Sequence, residues 1–338
     1  MAQQFWLGMA VFIVAGLSNA SFALPMKYSR QWKWENTWFV FTTLALLVLP
    51  IILAIVLVPN LWQTYATVPF TAFLPGAIFG FLWGLAQATF GLAIARVGVA
   101  MAFSIVVGMS GVMGSLIPMA VLHRGDFLGP RGIILMVSTA ILVVGLSLYG
   151  KAARLREIDS GAVPSAKGSD YRVGMALCLF TGALGGMINL GFAFSKTLQA
   201  RAEELGASPN AATFAVWVIV LGAGYIPSLV YTVYLMGKNG TAGAFAKSFG
   251  REGWLALAMA ILWLFGSQGY GVGATIMGSY GTSIGYAIYI SMLILGSTIC
   301  GVLTGEWKQA QPSTRRRMHH SVAIILASLL FLSTNGLF

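Results

Sequence analysis

Five residues of this chain lie along one helix face and could do chemistry together. Gly76, Gly80, Gly84, Gln87 and Gly91 follow one another at steps of four, four, three and four. Bare glycines let a neighbouring backbone approach, so this face looks into protein and carries Gln87 inward with it. An amide both donates and accepts hydrogen bonds, which suits a hydroxylated solute. Asn19, Asn189 and Gln268 supply further amides inside apolar runs. Trp83, Trp263, Tyr270 and Tyr280 supply rings that could form the apolar wall of such a site. The candidate solute-binding set is therefore Asn19, Trp83, Gln87, Asn189, Trp263, Gln268, Tyr270 and Tyr280. The plainer reading stands beside it: glycine stripes pack helices, amides tie them together, and any single ring can be core.

Ionisable chemistry is sparse. No Asp or Glu falls in the middle of an apolar run, where a proton relay would place one. Glu35 and Glu306, at the ends of such runs, and Lys196, just past one, are the candidates for proton coupling. Glu35 could equally cap a helix, and Glu306 could pair with Lys308. His123, His319 and His320 lie outside the apolar runs, and the chain holds no G-x-S-x-G, H-E-x-x-H or G-x-x-x-x-G-K-[ST]. No catalytic residue, metal or cofactor is expected.

These side chains must be positioned by membrane helices. The chain is 58% hydrophobic and only 9% charged, against roughly a quarter charged in a soluble domain. Its apolar runs are too long and too continuous for barrel strands. The expected spans are 5–25, 37–59, 71–94, 99–122, 132–150, 173–194, 212–236, 254–273, 280–304 and 321–337, with a local break in the glycine-rich stretch 269–285. The first of these reads as a helix and not a cleaved leader. Cys178 and Cys300 lie in apolar runs and read as small hydrophobes.

The net charge of +11 sits in the connections, which argues for positive-inside topology and against nucleic acid. The odd connections hold sixteen Lys and Arg, Lys167 among them, and the even ones hold only Arg124, Arg131, Lys196 and Arg201. This places the odd loops in the cytoplasm and both termini outside. Residues 1–150 form a first set of five helices, 151–172 a cytoplasmic linker, and 173–338 a second set. Gly16, Asn19, Phe22 and Ala23 recur at one offset as Gly186, Asn189, Phe192 and Ala193, and Trp83 with Gln87 is echoed by Trp263 with Gln268. An odd number of spans per half makes such a repeat inverted, as in secondary transporters with a site near midplane.

The chain resembles the L-rhamnose–proton symporters of the drug/metabolite transporter superfamily nearly end to end. The resemblance is carried by Pro25, Lys27 and Trp32-Lys-Trp34-Glu35; by Trp83-Gly84, Gly91-Leu92, Arg96 and Gly98; and by Trp263, Tyr270, Gly273 and Glu306-Trp307. It implies an all-α membrane protein of ten helices in a 5+5 inverted repeat, importing a deoxy sugar with a proton by alternating access across a bacterial-type inner membrane. Gln87 and Phe90 stand where the family pattern has Asn and Tyr, and Gly266–Gly271 is poorer in aromatics than the family's eighth helix. A carrier of this architecture for another small polar metabolite is the alternative. A membrane-embedded enzyme ranks behind it, with only Glu35, His123, Asp126 and Glu306 near an interface. A homodimer is left open.

Overall fold

The computed structural model describes residues 2–161 and 169–337. Residues 162–168, with Lys167 and the middle of the expected linker, lie outside the described residues. Every regular element among the described residues is helical. In chain order these are α1 Ala2–Ser21, α2 Trp34–Thr42, α3 Leu49–Leu57, α4 Leu61–Thr67, α5 Leu74–Val97, α6 Val99–Leu122 and α7 Pro130–Asp159, then α8 Ser169–Gly185, α9 Met187–Ala193, α10 Lys196–Glu204, α11 Pro209–Asn239, α12 Ala244–Met277, α13 Ile284–Leu303 and α14 Pro312–Ser333. A π-helical stretch, Thr43–Val48, joins α2 to α3, and a short 3-10 turn, Pro25–Tyr28, follows α1.

Nine segments among the described residues are long and apolar enough to cross a membrane. This is an all-α membrane protein. The last expected span is helical as α14 but is not one of the nine, because Arg315, Arg316, Arg317, His319 and His320 fill its first turns. It still packs into the bundle: Ile325 is fully buried, and Ser328 Oγ donates to the carbonyl of Ser138 on α7 at 2.7 Å.

Several boundaries differ from expectation: α12 and α14 begin well before the expected 254 and 321, α7 runs past the expected 150, and the glycine-rich break is localised. α7 continues through Lys151 to Asp159 because Ala152 and Ala153 pack on Trp307, Ala310 and Met318. Asp159 then accepts from Gln311 N (2.9 Å) and Thr314 Oγ1 (2.8 Å) and so caps α14. The expected break in the glycine-rich stretch falls at Gly278–Ser283, where Gly278 has φ +78° and Gly281 lies against the backbone of Ala274.

The glycines set which helices meet. A Cβ on Gly80 or Gly84 would collide with the carbonyls of Val220 and Gly224, so the α5 stripe is the seat of α11. α1 packs on α12 and α13, with Gly266 and Gly269 against Asn19 and Ala15 and Gly16 against Met292. Gly84→Leu must push α11 off a backbone contact, which a flexible side chain cannot relieve. Its expected result is lower folded yield and lower thermal stability in detergent, along with lost transport. Normal yield and melting with transport alone lost would assign the glycine to the solute path.

Candidate functional site

A cavity of about 550 Å³ lies between the helices of the two halves. α1, α2, α5 and α6 contribute Asn19, Trp38, Thr42, Trp83, Gln87 and Ser110. α8, α9, α11, α12 and α13 contribute Thr181, Asn189, Trp217, Trp263, Tyr270 and Tyr289. The rings of Trp83 and Trp263 stack at 5.9 Å with 25° between their planes. The two tryptophans, one from each half of the chain, therefore meet in the cavity wall.

The polar lining divides into groups already engaged and groups without a partner. Asn189 is fully buried, and both ends of its amide are taken. Its Nδ2 donates to the carbonyls of Gly114 (2.6 Å) and Thr282 (2.7 Å), and its Oδ1 accepts from Tyr270 Oη. Asn189 sits just after the helix break at Gly186, which presses against Gly114. Tyr286 Oη and Ser110 Oγ share a bond at 3.3 Å. Asn19 Nδ2 reaches the carbonyl of Trp263 at 3.4 Å. Ser267, Thr42 and Ser297 bond back to their own helices. Gln87 and the hydroxyl of Tyr289 line the cavity with no hydrogen-bond partner among the described residues.

Four expected site residues lie elsewhere. Gln268 is 5% exposed but off the cavity, and neither of its amide atoms has a partner among the described residues. The reason is helical phase. Gln87 stands four residues after Trp83 and keeps its face, whereas Gln268 stands five after Trp263 and turns roughly 140° away. Ser267, at the fourth position, lines the cavity instead. Tyr280 lies beyond the break at Gly278, where its hydroxyl donates to Asp126 Oδ2 (2.5 Å), accepts from Arg131 (2.9 Å), and its ring covers His123. Lys196 is exposed at the first turn of α10, outside the cavity. Glu35 is buried outside the cavity and accepts from Asn239 Nδ2 (2.9 Å) and Thr241 Oγ1 (3.0 Å).

The partly exposed charged residues among the lining mark the mouth of the cavity. Its mouth carries Lys27, Arg156 and Glu306. Glu306 pairs with Lys27 at 2.5 Å and Arg156 at 2.8 Å, not with Lys308 as a local pairing would have it. Burial raises the Glu306 pKa, but the two cations outweigh it and hold the carboxyl below the usual carboxylate range. It stays ionised near neutrality, and the pair is lost only as pH falls through that lowered value. Outside the lining, the ring of His123 meets the carbonyl of Ser279 through Nε2 at 2.6 Å, beside the Tyr280–Asp126 bond.

Sequence reasoning holds Tyr289 only as one of several further candidate rings and passes over Glu252 altogether. Glu252 is 2% exposed in α12. Its place before the apolar run of α12 was the missed signal, since a carboxylate beside a span needs a partner.

A family model described as L-rhamnose-proton symport protein (RhaT) matches residues 1–335. Relatives named L-rhamnose-proton symporter from Citrobacter koseri (strain ATCC BAA-895 / CDC 4225-83 / SGSC4696) and Escherichia coli (strain 55989 / EAEC) are each 23% identical over 340 residues, covering 98% of this chain and 98% of their own. One of the same name from Yersinia pestis (strain Pestoides F) is 25% identical over 310 residues, covering 89% of this chain and 90% of its own.

Proposed function

We propose, from the premise that the chain belongs to the L-rhamnose-proton symport protein family, that it carries L-rhamnose or a closely similar monosaccharide into the cell together with a proton. The family is one of transporters, which sets the enzyme reading aside. The observation that carries the proposal is the cavity between the halves. Its size falls in the range that takes small ligands, roughly 300–1,000 Å³. Stacked indoles offer an apolar wall, and Gln87 and Tyr289 offer unpartnered polar groups to sugar hydroxyls. Trp83 and Trp263 form that wall, while Asn19 contributes a weakly held amide and Tyr270 a ring.

The architecture we infer is ten spans in a 5+5 inverted repeat, residues 1–150 and 173–338, with α14 as the tenth. The pattern of packing supports it. The first span, α1, packs on the eighth and ninth, α12 and α13, and the sixth, α8, packs on the third and fourth, α5 and α6. Exchanging the halves turns one set of neighbours into the other. The fifth and tenth spans, α7 and α14, pair with each other. On the positive-inside distribution the mouth at Lys27, Arg156 and Glu306 faces the cytoplasm and both termini lie outside. Alternating access then opens the His123–Ser279 end while closing the mouth. Glu306 is the one proton-coupling candidate that lines the cavity, and its pairing with Lys27 must loosen before it can take a proton.

The test is uptake of labelled sugars into proteoliposomes holding the purified full chain. L-rhamnose should accumulate when the outside is made acidic and only equilibrate without the gradient. Accumulation that ignores the gradient would remove the proton from this reading, and no rhamnose entry at all would remove the sugar.

A further inference from the structure

We propose that Glu252 is the positioning residue of a latch, gripping from the second half the segment that follows α1 and so holding the cavity mouth open. This rests on reading the cavity as a path that changes sides.

A buried carboxylate is costly unless donors converge on it. Three do so here. Oε2 accepts from Ser29 Oγ at 2.6 Å, and Oε1 accepts from the backbone N–H groups of Arg30 at 3.1 Å and Gln31 at 3.2 Å. Arg251, the preceding residue, donates from Nη2 to the carbonyl of Tyr28 at 3.2 Å. Lys27 lines the mouth and reaches Glu306. The whole run from Lys27 to Gln31 is thus held by the second half of the chain. The charged groups around Glu252 are Arg251 on its own helix and Arg30 on the facing segment, and Arg30 meets it through its backbone.

Bonds to backbone N–H groups fix where a chain runs, not merely where a side chain points. Glu252 therefore sets the path of the segment as it leaves α1. Two further features fit a grip. Ser248, four residues earlier, leaves helical geometry (φ −153°, ψ 28°). The bent start of α12 brings Phe245 and Phe249 onto Trp32, with ring centroids at 5.2 and 5.8 Å. On this proposal the segment bearing Lys27 shifts against α12 when the mouth closes. A contact made in one state and lost in the other shifts the population toward the state that has it.

Cys300 lines the mouth, and Cys178 is the other of the chain's two cysteines. With Cys178→Ala as the parent, the full chain in nanodiscs reports mouth accessibility through the rate at which Cys300 reacts with a small neutral methanethiosulfonate. Glu252→Ala should slow that reaction about fivefold or more. Ser29→Ala, which removes one donor and leaves the charge, should slow it less, and Glu252→Asp should restore part of the rate. Unfolding would speed the reaction, so the sign separates a lost latch from a misfolded chain. Rates equal to the parent in both Glu252→Ala and Ser29→Ala, or faster in both, overturn the proposal. No sugar enters this readout, so a failure of the rhamnose reading in the uptake assay is distinguishable from a failure of the latch.

Discussion

Gln87→Ala is expected to weaken L-rhamnose binding about tenfold or more, while Gln268→Ala leaves it unchanged. Each glutamine follows a cavity tryptophan, by four residues at Gln87 and five at Gln268, and the substitution is chemically the same, so only geometry separates the outcomes. Gln87 lines the cavity with its amide unpartnered among the described residues, whereas Gln268 is turned off the cavity. A sugar hydroxyl that loses its amide partner in a dry site is left unpaired, at about 1–3 kcal/mol, and 1.4 kcal/mol is a factor of ten in affinity. Tyr289→Phe removes a single hydroxyl and should cost less, about fivefold, with the ring wall intact. Calorimetric titration of purified variants with matched melting temperatures decides the matter. Equal losses at Gln87 and Gln268, or none at Gln87, would remove Gln87 from the site.

How much of this was legible beforehand follows from what each signal encodes. Hydropathy is a sum over many residues, so long apolar helices were legible in the sequence, although α7, α12 and α14 extend well past their expected bounds. The glycine stripe of α5 was legible because a helical period fixes a face, and that face meets the α11 backbone. Gln268 lies off the cavity because the likeness of Trp83–Gln87 to Trp263–Gln268 is one of residue order, while one extra residue rotates a side chain to another face. Tyr280 lies outside the cavity because the glycine-rich break carries the chain away before that residue is reached. The pairing of Glu306 with Lys27 and the grip of Glu252 on Ser29 join residues more than two hundred positions apart. No local pattern carries such partners. Which polar groups stay unengaged is likewise a property of the packed whole: Asn189 and Gln87 look equally suited to a sugar as amides, and only their neighbours distinguish them.

Asn189→Ala is expected to act on the fold first, and on solute binding only through it. In the packed protein this amide holds three partners that belong to three different elements. The carbonyl of Gly114 is on α6, the carbonyl of Thr282 is in the turn before α13, and the hydroxyl of Tyr270 is on α12. Asn189 itself stands on α9, past the interruption at Gly186. Removing it leaves two carbonyls and a phenol without partners at a buried point. Interhelical hydrogen bonds inside membranes are individually modest, about 0.6 kcal/mol on average and up to about 1.7. Three lost together at one buried point are worth roughly 2–5 kcal/mol, a large share of any protein's net stability. Thermal unfolding in detergent should therefore drop by several degrees, with the loss also present without sugar. Asn189→Asp keeps the acceptor for Tyr270 but sets a carboxylate against the two carbonyls, so it should be at least as destabilising as alanine. Gln87→Ala should leave the melting temperature within a degree or two, because that amide holds nothing inside the protein. If Asn189→Ala melts like the parent and loses only rhamnose affinity, the amide serves the solute and the three-way tie adds little to stability.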